Sequence, residues 1–145
     1  MNWCRISIER LRTHRKRQQA LISIPEQIKS LEEQFAAIRS ATTDATPVQD
    51  NSNRREDMLV YNIAKREELR HNYSIVKREV MLTENGLAAL SEEQKRILEL
   101  FFINRPKNYI ERLCDELYVS KTELYRRKDD ALKDFTVAVY GIVDL

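Results

Sequence analysis

Two glycines and three prolines in 145 residues leave this chain few ways to turn sharply. Tight hairpins and phosphate-cradling loops draw on glycine where φ is positive, so a chain this poor in it is steered toward helices. A charged content of 33% exceeds the usual quarter and suits helices with solvated faces. With 42% hydrophobic residues the chain can still bury a core. Its length suffices for one domain or two small ones. The expected class is all-α.

Apolar spacing divides the chain. Trp3 to about Ser23 reads as a helix with a basic middle, Arg10, Arg12, Arg15, Lys16 and Arg17. Ser23 and Pro25 mark a break or kink, because proline suits a first helical turn and restricts the residue before it. From Pro25 to Ser40, Ile28, Leu31, Phe35 and Ile38 recur at steps of three and four, a heptad-like seam that needs a partner. Residues from about 41 to 54 are polar and read as a flexible loop. Helical pattern resumes from about Arg55 to Leu82, where Leu59, Ile63, Leu69, Tyr73, Val76 and Val80 track one face and Arg66 interrupts it. This helix, folded back as an antiparallel hairpin, is the expected partner of the seam; a second copy of the chain competes for it. Asn85 and Gly86 would cap the long helix. The expected division is an elongated helical hairpin or coiled-coil part over 1–84 and a compact helix-turn-helix domain over 85–145.

The second part carries the functional signal. Ser91 with Gln94, and Ser120 with Glu123, fit capping boxes at the starts of two helices. Ile97, Leu98, Phe101 and Phe102 form the apolar side of the first of these helices. Residues 105–108 are a turn. A short amphipathic helix from Tyr109 then precedes the helix that Ser120 opens, and an apolar tail from Phe135 continues it to near Gly141. Leu113, Leu117, Leu124, Ala131 and Leu132 are candidate core. The outward positions hold Ser120, Lys121, Thr122, Tyr125 and Arg126, which is how a helix-turn-helix presents side chains to a DNA major groove. Arg suits paired hydrogen bonds to guanine, and Lys and Thr suit bases or phosphates, so Arg126→Ala is expected to weaken binding and relax sequence preference. Arg127 and Lys128 are candidates for phosphate contact or for packed stems. Lys107 and Tyr109 are candidates for gripping the backbone. Tyr118 stands in the turn where glycine is frequent, which puts the helix angle in question.

Other chemistry has little support. A net charge of +2 requires any DNA binding to come from local clusters. The N-terminal basic residues read either as a solvated face or as contacts to DNA or an acidic polymerase surface. His14 and His71 lack partners at metal-ligand spacing and read as surface histidines. Cys4 and Cys114 read as free thiols in a reducing cytoplasm. Adjacent acids such as Glu92 and Glu93 point in different directions and suggest no acid–base pair. No enzyme, metal or cofactor is expected. No apolar run is long enough for a membrane span, and no signal peptide is read at the N-terminus.

Residues 90–140 resemble region 4 of sigma-70-type factors, through Leu90 to Phe102, Tyr109 to Leu117 and Val119 to Leu132. The whole chain resembles small phage transcriptional regulators of the ArpU and RinA type, in its length, its charged helical first half and the run from Ser120 to Leu132, with Tyr125-Arg126-Arg127-Lys128 and Ala131-Leu132. The resemblance implies a regulator of promoter DNA in a bacterial host cell, an activator of late phage genes for packaging, morphogenesis or lysis. It places Ser120, Lys121, Thr122, Tyr125 and Arg126 on the DNA side. Bacterial RNA polymerase and a second copy of the chain are the candidate protein partners. The rivals are an RNA-polymerase-binding adaptor or inhibitor that does not itself read DNA, and a structural assembly protein.

Overall fold

The computed structural model describes residues 1–41 and 49–142. Five α-helices run in order: α1 (Trp3–Ala41), α2 (Gln49–Ala88), α3 (Glu92–Leu98), α4 (Tyr109–Leu117) and α5 (Lys121–Tyr140). A π-helical turn, Glu99–Ile103, follows α3 directly. Among the described residues there is no strand, and the chain is all-α. Among the described residues no helix is long and apolar enough to cross a membrane.

Several boundaries differ from expectation. Of the break or kink expected at Ser23 and Pro25, the break does not occur: α1 runs continuously with Pro25 inside it. A mid-helix proline costs about 3 kcal/mol, and the burial of apolar side chains on both sides of it, Leu21, Ile24 and Ile28, opposes that cost. Of the loop expected over about 41–54, Ala41 closes α1 and residues from Gln49 onward are helical; residues 42–48 lie outside those described. Asn85 and Gly86 do not cap α2, which runs on to Ala88. A β-carbon on Gly86 would stand 2.4 Å from Val139 Cγ2 and 2.9 Å from Phe135 Cε2. Gly86 therefore serves close approach of α2 and α5.

The chain forms two compact units, residues 19–77 and residues 1–18 with 78–145. The division differs from the boundary expected near residue 84.

In the unit of residues 19–77, parts of α1 and α2 pair antiparallel. Asn62 Nδ2 donates to the Leu31 carbonyl at 2.8 Å, Arg70 pairs with Glu32 at 3.1 Å, and the Arg66 guanidinium lies 4.9 Å from the Phe35 ring centre. Ile28, Leu31, Phe35 and Ile38 are half-buried, as the seam requires. On α2 the covered positions in this unit are Arg55, Leu59, Asn62, Arg66, Leu69, Tyr73 and Val76. Asn62 therefore replaces Ile63, which is exposed, and Arg66 belongs to the seam it was expected to interrupt. Its Nε donates to Asn62 Oδ1 at 2.8 Å. A polar residue in such a seam fixes register at some cost in stability.

In the other unit the start of α1 packs with the end of α2 and with α3 and α5. One apolar cluster joins Leu11, Leu90, Leu98, Ala131, Leu132 and Phe135, with Cys4, Ile8, Leu87 and Val139 against it. The apolar tail expected from Phe135 thus packs into this core through Phe135 and Val139, and Gly141 ends α5 at φ 70°. A second cluster joins Ile97, Leu100, Phe101, Leu113 and Leu124. The π turn shares consecutive large apolar residues between the two clusters, and Phe102 touches both. Its wide ring closes where the Asn104 amide donates to the Glu99 carbonyl at 2.8 Å.

Arg10 and His14 depart from the solvated roles open to them. The Arg10 side chain is 11% exposed. It donates Nε to Tyr140 Oη at 2.8 Å and Nη1 to the Glu79 carbonyl at 3.1 Å, and it pairs with the Glu79 carboxylate at 2.6 Å. Next to it, the Ser7 and Thr136 hydroxyls meet at 2.7 Å. Thr136 donates to the Leu132 carbonyl, so Ser7 is the donor of the pair. His14 is 3% exposed, which corrects the surface reading, and its Nδ1 has no hydrogen-bond partner. Burial lowers its pKa. His71 is exposed as expected.

Candidate nucleic-acid interface

The second apolar cluster sets the candidate interface. Leu113 on α4 and Leu124 on α5 are fully buried, and they pack with Ile97 and Phe101. Half-buried Leu117 and Val119 cover the edge of this cluster where the chain reverses. Three residues, 118–120, join the helices.

Tyr118 adopts the left-handed conformation, φ 54° and ψ 47°, and its amide donates to the Cys114 carbonyl. Glycine is frequent in such turns because it enters that region freely, whereas an L-residue pays roughly 1–2 kcal/mol. The Tyr118 side chain is 94% exposed, so no burial of its ring repays that cost.

The two expected capping boxes have different outcomes. At α3 the box is complete: Ser91 Oγ accepts from the Gln94 amide, and Gln94 Oε1 accepts from the Ser91 amide, both at 3.2 Å. At α5 only half forms. Ser120 Oγ accepts from the Glu123 amide at 3.3 Å, but the Glu123 carboxylate turns to arginines instead of the Ser120 amide. One charge-assisted pair with a guanidinium outweighs a neutral amide donor, and Glu123 has two.

The expected site residues fall into two groups. Ser120, Lys121, Thr122 and Tyr125 are exposed at the start of α5. Tyr125 is 41% exposed and set edge-on to Phe101, with ring centres 5.9 Å apart. The other three expected cations of α5 are ion-paired within the protein, although Arg126 is itself exposed. Arg126 pairs with Glu123 at 2.5 Å and Asp130 at 3.0 Å. Arg127 pairs with Glu123 at 3.0 Å and with Glu93, tying α5 to α3. Lys128 pairs with Asp129 at 2.7 Å and lies over the Tyr125 and Phe101 rings. The Arg126 and Arg127 hydrogen bonds hold the Glu123 carboxyl at about 2, well below the usual carboxylate range.

Before α4, Lys107 is exposed, whereas Tyr109 is half-buried. The Tyr109 ring stands edge-on to Phe101 at 5.1 Å, beneath the Arg105 guanidinium at 4.5 Å. Tyr109 and Lys121 line one shallow hollow with Asn108, Ile110 and Glu111. The structure thus brings Tyr109 to the start of α5, but Lys107 is not among the residues lining that hollow.

Sequence reasoning missed the acid network around Arg126 and Arg127. The three- and four-residue spacings of Glu123 to Arg126, Glu123 to Arg127 and Arg126 to Asp130 were visible signals. The link to Glu93 had none. Among the described residues no acid, His and Cys cluster could hold a metal ion. No family model, no curated protein and no solved structure matches this chain.

Proposed function

We propose that this chain is a sequence-specific DNA-binding transcriptional regulator, and, on its resemblance to phage regulators, an activator of late genes. The observation that carries the reading is the start of α5. A capped, three-residue turn over a buried core holds Lys121, Thr122 and Tyr125 exposed together at that helix end. A helix start also offers unpaired backbone amides to a phosphate. Lys and Thr read base edges or phosphates, and Lys107 supplies a backbone contact.

An RNA-polymerase adaptor that does not read DNA is the second reading. The acids Glu123, Asp129 and Asp130 favour it, because they answer the arginines and Lys128 of α5.

A salt titration on short duplex DNA separates the two. For a DNA-binding regulator the logarithm of the affinity falls linearly with the logarithm of salt concentration, and Lys107→Ala reduces that slope by about 1. An adaptor gives no saturable binding at any salt concentration.

A further inference from the structure

Arginines are the residues a DNA-reading helix uses most, and here they are the ones tied up. The Arg126 guanidinium gives Nε to Glu123 Oε2 at 2.9 Å and Nη2 to Glu123 Oε1 at 2.5 Å. Its Nη1 goes to Asp130 Oδ2 at 3.0 Å. Arg127 gives Nε to the same Glu123 oxygen at 3.0 Å and Nη1 to Glu93. Three carboxylates against two guanidiniums leave this cluster with one negative charge in excess. Glu123 lies in the first turn of α5, where the helix dipole favours an anion and holds it in place.

Resting on the DNA-binding reading above, we propose that Glu123 and Asp130 are specificity-determining residues that keep Arg126 from DNA, leaving readout to Lys121, Thr122 and Tyr125. A paired contact to guanine needs two N–H groups on one edge of the guanidinium. Glu123 fills the Nε and Nη2 edge, and Asp130 takes a donor at the other end. A phosphate that displaced them would leave two carboxylates facing the DNA backbone. The acids thereby suppress attraction common to every duplex, while contacts to a correct site remain. Specificity is a difference of affinities, and lowering the affinity for wrong partners raises it.

The test uses the full chain and mixed-sequence duplexes, with binding followed by fluorescence anisotropy across a salt series. The proteins are the native chain, Glu123→Gln, Asp130→Asn and the double acid variant, each with and without Arg126→Ala. Circular dichroism establishes that each keeps its helices. We expect the acid variants to bind several-fold tighter, with a salt slope steeper by about 0.9 for each cation freed. In contrast to the weakening expected from the sequence, Arg126→Ala should change native affinity little, because its charge is already answered by Glu123 and Asp130, yet remove the gain in the double acid variant. Weaker binding by Glu123→Gln would overturn the proposal, because the carboxylate would then be aiming Arg126 at the DNA. So would an equal cost of Arg126→Ala in both backgrounds. Native binding with no change in the acid variants overturns this proposal alone. Absence of binding by every protein overturns the DNA reading and the proposal together.

Discussion

Arg10 donates to Tyr140, Glu79 and Thr83, and the nearest of these in sequence lies 69 positions away. No local pattern separates it from Arg12 or Arg15, which are exposed on the same helix. The role of Arg10 was illegible because it depends on where α2 and α5 return. His14 is buried for the same reason. Its imidazole is buried at 3% exposure beside the charges of Glu84, Arg17 and Arg10, and burial lowers its pKa below 6.5. The folded chain then binds fewer protons than the unfolded chain at mildly acid pH. Its contribution to stability is complete above about pH 6.5 and falls as pH drops through the lowered value. Urea midpoints should therefore fall between about pH 7.5 and 5.5 in the native protein, with a smaller fall in His14→Gln. Equal falls in both proteins would remove His14 from this account. At the start of α5, by contrast, local chemistry was legible: Ser120 caps the helix as its position before Lys121 indicates.

Among the elements, helix faces were easier to read than helix ends. Leu113, Leu124, Ala131 and Leu132 are buried as their spacing indicates, and Leu117 is half-buried. Pro25 and Gly86 both oppose helix locally, so each marks a boundary in the sequence. In α1 and α2 tertiary packing overrides that preference. Gly86 supplies a direct check. Gly→Ala inside an exposed helix gains about 1 kcal/mol. At Gly86 the new methyl meets the side chains of fully buried Phe135 and β-branched Val139. Overpacking costs about 1–3 kcal/mol, so we expect Gly86→Ala to lower stability in urea unfolding. Val139→Ala in the same chain should recover part of the loss. A stabilised Gly86→Ala protein would show that α2 and α5 do not approach this closely.

For the whole molecule, the all-α class followed from scarce glycine and periodic apolar residues, but the compact units did not follow chain order. Residues 1–18 belong with 78–145 because Cys4, Ile8 and Leu11 complete the cluster around Leu132 and Phe135. Sequence spacing cannot report a contact between the two ends of a chain. Selection from a random duplex library by the full chain tests the proposal that the start of α5 reads DNA. Successive rounds should enrich one short motif. Alanine at Lys121, Thr122 or Tyr125 should cost about 1–3 kcal/mol of preference for that motif, with smaller effects on unrelated duplexes. Failure to enrich any motif, or an unchanged motif when all three side chains are removed together, would contradict the account.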